Sequence, residues 1–215
     1  MSKAKAQLAM VQEDLLKMGK MVQDTVHRAI KALDEKNGQM ALEIINQDDI
    51  IDNMLVVMEE EVATVLGEGP HPKDIKRLLS IAKIANNLER IADYASNIAE
   101  IVLEFKGQEY VKPLVHIPQM TRLALNMLDT ALQAFVDGNG DLAEAVCKRD
   151  EEVDNLHDEV HRELLGLMVK ETEGQRIRQS VGFMRISGFL ERIADHATNI
   201  GEETIFISTG KRTQY

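Results

Sequence analysis

Apolar residues return along this chain at alternating steps of three and four. Leu8, Val11, Leu15, Met18, Val22, Val26, Ala29 and Leu33 form one such stripe, which on a helix lies along a single face. Asn37-Gly38 interrupts it with a residue pair that favours turns. A second stripe runs through Ile44, Ile51, Leu55, Met58, Val62 and Val65. Gly67-Glu68-Gly69-Pro70-His71-Pro72 is a stop followed by a restart, with Pro72 suited to a first helical turn. A third stripe follows at Ile81, Ile84, Leu88, Ile91, Ala95, Ile98, Val102 and Phe105. The pattern predicts three helices and no strand.

The pattern then begins again. Glu89-Arg90-Ile91-Ala92-Asp93-Tyr94-Ala95-Ser96-Asn97-Ile98-Ala99-Glu100 recurs as Glu191-Arg192-Ile193-Ala194-Asp195-His196-Ala197-Thr198-Asn199-Ile200-Gly201-Glu202, with nine of twelve positions identical at an offset of 102. The same offset pairs Asp48 with Asp150, Asp52 with Asp154, and Asn37-Gly38 with Asn139-Gly140. Breaks recur at Asp137-Gly138-Asn139-Gly140 and around Thr172-Glu173-Gly174, while 106–118, with Pro113 and Pro118, reads as a linker. The expected fold is all-α: two tandem, homologous, antiparallel three-helix bundles, 1–108 and 109–215.

Composition supports helices, with 44% apolar and only 4% aromatic residues among 215, eleven of them Met. The formal charge of −11 repels phosphate backbones, so nucleic acid is not an expected partner. No segment is apolar enough to insert in a membrane, and residues 1–7 do not resemble a secretory signal. A cytoplasmic location is expected, in keeping with a solitary thiol, Cys147, which excludes disulfides and thiolate clusters. A homodimer is also expected.

Candidate chemistry lies in acidic pairs spaced i, i+4. Asp48 with Asp52 and Glu89 with Asp93 are repeated as Asp150 with Asp154 and Glu191 with Asp195. Such residues share a helix face, where like charges repel by a few tenths of a kcal/mol. The first two pairs centre on residues 50 and 91, with midpoint 70.5, inside the Gly69-Pro70-His71-Pro72 turn. The second two centre on 152 and 193, with midpoint 172.5, again in the predicted turn. Residues equidistant from a hairpin turn lie side by side, so four carboxylates should converge in each half, roughly 30 Å from the tip. A cation is the simplest way to stabilise them. Asn97 and Asn199 extend each acidic face by another turn. A solvated acidic face, neutralised by Arg90, Arg192 or Lys83, is the alternative.

Other constellations carry less. His157 and His161 stand one turn apart, but Leu55 and Glu59 occupy the corresponding positions, so the pair is not a shared feature. No phosphate loop and no His-Glu-x-x-His motif is present, and the Glu-x-x-His pairs of di-iron bundles are not repeated. Cys147 reads as a small core residue rather than a nucleophile.

Leu88-Glu89-Arg90-Ile91-Ala92-Asp93 and its copy Leu190-Glu191-Arg192-Ile193-Ala194-Asp195 resemble the signature of the PhoU family. The duplication, the Asp-x-x-x-Asp pairs and His71-Pro72-Lys73-Asp74-Ile75-Lys76-Arg77 extend the resemblance over nearly the whole chain. Ala92 and Ala194 stand where that family commonly has Gly. The resemblance implies paired three-helix bundles holding multinuclear metal clusters, iron or zinc foremost, with magnesium or manganese also suited to carboxylates. It implies Asp48, Asp52, Glu89 and Asp93 as ligands in one half and Asp150, Asp154, Glu191 and Asp195 in the other. It further implies a negative regulator of the phosphate-starvation response, linking the ATPase subunit of the phosphate ABC transporter to a sensor histidine kinase. A non-enzymatic regulator is therefore expected. A metal-dependent phosphate-ester hydrolase and a metal store are the alternatives.

Overall fold

The computed structural model describes residues 3–215, with side chains from residue 5 onward. Eight helices follow one another: α1 (Lys3–Asp34), α2 (Gly38–Asn46), α3 (Asp48–Gly67), α4 (Pro72–Glu104), α5 (His116–Asp137), α6 (Gly140–Cys147), α7 (Asp150–Met168) and α8 (Gly174–Thr209). No strand occurs among the described residues. The stripes expected in the first and third helices are buried, from Leu8 to Leu33 on α1 and from Ile81 to Phe105 through α4.

One expectation needs correction. The second helix of each half is two helices, α2 with α3 and α6 with α7. At Gln47 the backbone turns to φ −98°, ψ 0°. Its N–H is shared between the carbonyls of Glu43 and Ile44, both at 3.1 Å, which tightens and ends the turn. A new helix N-terminus then opens at Asp48-Asp49, and its counterpart at Asp150-Glu151-Glu152. Acidic side chains in a first turn are stabilised by the exposed N–H groups and the helix dipole. The periodic stripe conceals the break because no Gly or Pro marks it. A second, smaller difference is that Pro118 belongs to the first turn of α5 rather than to the linker.

The breaks at 37–38 and 139–140 are built alike. The Asn37 side chain accepts from the Met40 N–H and that of Asn139 from the Leu142 N–H, both at 3.1 Å, so each caps the following helix. The residue before each cap has left-handed backbone. Gly138 adopts φ 63° freely, but its counterpart Lys36 takes φ 52° with a side chain. Lys36 is held there by Glu109 at 3.0 Å and by the Tyr110 ring at 4.7 Å.

α4 and α8 form the centre. α1, α2 and α3 pack on α4, α5, α6 and α7 pack on α8, and one hydrophobic core runs through both halves. The two central helices are antiparallel in a single register. Ser80 meets Glu203, Asn87 meets His196, Tyr94 meets Phe189, and the Gly182 position meets Ile101. Each pair sums to 283, and the repeat offset exchanges Ser80–Glu203 with Gly182–Ile101 and Asn87–His196 with Tyr94–Phe189. The halves are thus related by a pseudo-two-fold axis that crosses α4 between Arg90 and Ile91. The linker is pinned to α8 by the buried Gln179, whose side chain accepts from Val111 N–H at 2.6 Å and donates to the Glu109 carbonyl at 3.1 Å.

Gly182 sets how closely α4 and α8 approach. A Cβ added there would stand 2.5 Å from Phe105 Cζ and 2.8 Å from Cε1. Phe105 has little room to yield, because Phe183 and Tyr110 pack against its ring at 5.1 and 6.0 Å. Gly182→Ala is expected to cost about 1–3 kcal/mol by urea denaturation. Phe105→Leu in the same chain should recover part of that loss, whereas simple addition of the two costs would contradict the contact.

Candidate functional site

The hairpins α3–α4 and α7–α8 bring the acidic pairs together as their distances from the turns require. In the first half, carboxylate oxygens of Asp52, Glu89 and Asp93 all lie within 4.8 Å of one another. Asp48 joins from the first turn of α3, where its Oδ1 accepts a hydrogen bond from Ser96 Oγ of α4 at 2.8 Å. Arg90 donates to Asp93 Oδ2 at 2.8 Å. Asp48, Glu89 and Asp93 are half-buried and Asp52 is exposed.

The crowding is felt by three of the four carboxyls. Asp52 is raised above the ordinary carboxylate range by lost hydration and then by Asp48 and Asp49. Glu89 is raised by lost hydration, then by Asp93, against the opposing pull of Arg90, and also by Asp52 and Asp48 across the hairpin. Asp93 is raised by lost hydration, opposed by Arg90, with Asp48 and Asp52 adding to the rise.

The second half repeats the arrangement more loosely. Asp150 is pushed up to about 6 by lost hydration, then by Asp195, Asp154 and Glu191. Thr198, the counterpart of Ser96, lies close enough to offset a little of that rise without a hydrogen bond of normal geometry. Asp195, although exposed, is raised by lost hydration, Glu191 and Asp154, against Arg192. Among the described residues no three acids of this cluster close to the span seen in the first. Asn97 is half-buried and Asn199 exposed, each one turn beyond the acids on α4 and α8.

Such a donor set fits a cation of the hard or borderline kind, since it is made of carboxylate oxygens with a surplus of negative charge. The neutralising roles expected of nearby cations divide. Arg90 does pair with Asp93. Lys83 instead reaches Glu203 at 2.9 Å, and Arg192 lies 5.8 Å from the Tyr94 ring centre.

Two groups behave as the sequence suggested. Cys147 is buried, and burial with Glu202 nearby pushes its thiol up to about 12, so it is no nucleophile at neutral pH. His157 and His161 pack ring on ring at 4.1 Å, half-buried. One functional-looking group went unread. Glu203 is 8% exposed and binds Ser80 Oγ and Lys83 at 2.9 Å and Arg212 at 3.2 Å. The one sequence signal for it is that its repeat counterpart is the apolar Ile101.

The raised carboxyl of Asp150 has a measurable consequence. Between its ordinary value of 3.8 and its folded value of about 6, the folded chain binds more protons than the unfolded one. This residue's contribution therefore weakens stability as pH rises through about 6 and restores it as pH falls. Metal-free wild type should gain urea resistance from about pH 7.5 to about pH 5 relative to Asp150→Asn, whose amide does not titrate. Parallel pH profiles for the two proteins would contradict the placement of Asp150.

A family model described as the PhoU domain matches the chain twice, over residues 15–102 and 117–204. These matches are displaced by the same 102 residues as the internal repeat. The chain is 33% identical over 201 residues to a phosphate-specific transport system accessory protein PhoU homolog of Clostridium acetobutylicum, covering 93% of this chain and 91% of that one. It is 33% identical over 198 residues to PhoU homolog 2 of Thermotoga maritima, covering 92% and 83%. Among solved structures, PhoU of Streptococcus pneumoniae superposes with a TM-score of 0.92 at 29% identity, over 99% of this chain and 100% of that one. PhoU of Pseudomonas aeruginosa does so at 0.90 with 31% identity, over 96% and 99%. With two domain matches in register with its own duplication and relatives aligned over nearly its full length, the chain belongs to the PhoU family.

Proposed function

We propose that the chain is a metal-binding, non-catalytic negative regulator of phosphate uptake and of the phosphate-starvation response. It acts from the cytoplasm by contact with the ATPase subunit of a phosphate ABC transporter and with a phosphate-sensing histidine kinase, as a homodimer. The duplicated carboxylate cluster carries this reading. Two hairpins independently converge four acids apiece, and the relatives are named accessory proteins of phosphate-specific transport. No helix among the described residues is long and apolar enough to cross a membrane, which suits a protein that meets its transporter at the surface.

Asp48, Asp52, Glu89 and Asp93 would hold one iron or zinc cluster, with Asn97 beside them. Asp150, Asp154, Glu191 and Asp195 would hold the other, with Asn199 beside them. What bound metal would supply is charge, which would offset the crowding of the acids and turn an acidic face into one that an anionic group can approach. The chain's own residues set the geometry. Ser96 fixes Asp48, and Arg90 orients Asp93. A hydrolytic role is less well supported, because no histidine or lysine is common to both clusters: Leu55 and Glu59 stand at the repeat positions of His157 and His161.

Elemental analysis of protein purified without chelator tests the metal. Asp93→Ala should lower the metal content of the first half alone and Asp195→Ala that of the second alone. The double variant should lose both, and unchanged metal in it would reject the ligand assignment. Pull-down against the ATPase subunit and the kinase, with and without chelator, tests the rest. Binding to neither would remove the adaptor reading, and binding indifferent to chelation would make the metal purely structural.

A further inference from the structure

The repeat exposes a second site by contrast. On the face of each half away from the carboxylate cluster, α1 or the chain leading into α5 runs beside the first arm of the hairpin, α3 or α7. In the second half this seam is bridged by a lysine–glutamate ion pair with a histidine beside it. Glu163 of α7 is bonded by Lys112 and lies 3.5 Å from His116, which also lies 3.7 Å from Glu159. The 102-residue offset places Met10 at the position of Lys112, Asp14 at His116, Val57 at Glu159 and Glu61 at Glu163. The acid is kept and each of its basic partners is gone.

The consequence is an open groove between α1 and α3. Two adjoining hollows of about 270 and 370 Å³ share Val57 and Glu61 as a common wall. Their apolar lining is unusually bare: Met10 is 63% exposed, Val57 52% and Ile50 48%. Glu61 Oε2 is nevertheless buried and makes no hydrogen bond among the described residues. Burial and the neighbouring Asp14 raise this carboxyl, and Lys17 eases it only in part. Lys17 is itself drawn to Asp14 at 2.8 Å and Glu13 at 3.1 Å on its own helix. From Ile50 to Val65 the groove runs roughly 22 Å along α3, the length of four helical turns.

We propose that the α1–α3 groove is a docking site for a partner's amphipathic helix that carries a lysine or arginine flanked by apolar side chains. The cation takes the place beside Glu61 that Lys112 takes beside Glu163, and the apolar side chains cover Met10, Val57 and Ile50. The charge pattern of the second half argues for this occupant, because there the same acid in the same seam is satisfied by a basic group from an adjoining segment. Helices seat in such grooves through anchors at i, i+3 and i+4. The proposal deepens the adaptor reading by naming the surface and the chemistry of its partner, and it does not depend on metal.

The probe is a synthetic amphipathic Leu/Lys helix of about fourteen residues, roughly 21 Å long, added to full-length protein labelled at the methionine methyls. Met10 and Met54 line the groove, and exposed Met21 on α1 lies outside it. Saturable shifts at Met10 and Met54 with Met21 unmoved are the expected result. Asp14→Asn with Glu61→Gln should weaken binding at least tenfold. Removing two acids elsewhere, Asp137→Asn with Asp141→Asn, should leave it within about twofold. A Leu/Glu helix of the same pattern should not bind. Equal shifts at Met21, or equal weakening by the two double variants, would reduce the effect to general attraction by an acidic surface and overturn the proposal. So would self-association that Val57→Glu abolishes, which would assign the groove to a second copy of the chain. Failure of the transporter and kinase pull-downs with this groove still binding its helix would refute the adaptor reading and leave the site standing.

Discussion

Everything in this molecule leans on the contact between α4 and α8. The other six helices each reach one of these two, and the core runs through both halves across this pair and the smaller contact of α1 with α5. Gly182 sets their closeness at one end of the contact, where it accepts the edge of Phe105. Since α4 and α8 are copies of one ancestral sequence facing each other about a pseudo-axis, the counterpart of each position meets the counterpart of that position's partner. A perfectly duplicated surface would place like side chains in pairs about that axis. Divergence has instead produced complements. Tyr94 stacks on Phe189 where the symmetric site has His196 bonded to Asn87 at 2.7 Å. Ser80 serves buried Glu203 where the symmetric site has bare glycine against Ile101.

The carboxylate clusters are an electrostatic cost built into that rigid frame. A solvated acidic stripe would swing its side chains apart, yet here Ser96 ties Asp48 to α4 and Arg90 holds Asp93 in place. The break before α3 contributes as well. It lets Asp48 sit in a first helical turn, where unpaired N–H groups favour a negative charge, rather than in mid-helix. The same device recurs at Asp150. Repulsion is therefore moderated locally but not relieved, which is the condition under which a group of acids gains most from a cation.

How far the sequence alone could be read follows from which interactions have a period. The helix stripes were legible because burial on one face forces a 3.6-residue rhythm, and the hairpin arithmetic placed Asp48, Asp52, Glu89 and Asp93 together because a turn at Gly69-Pro70 fixes the register. The break at Gln47 was not legible, since neither residue type nor period changes there. Glu203 was hidden for another reason: its partners Ser80 and Lys83 lie more than a hundred positions away, and only the α4–α8 register joins them. The α1–α3 groove is visible only as a difference between two halves once their equivalent contacts are known.

The register of the central pair also fixes the mechanics of the whole. The pseudo-axis crosses at the level of Arg90 and Ile91, and α4 begins at Pro72, nineteen residues away, so each hairpin tip stands roughly 28 Å from the pivot. The tips point in opposite directions because α4 and α8 are antiparallel. Such an assembly is a pair of levers on one fulcrum. A change of about 5° in the crossing of α4 and α8 would carry each tip through about 2.5 Å at that arm length. The acids flank the fulcrum, where displacement is smallest, while the loops at 68–71 and 169–173 lie where displacement is greatest.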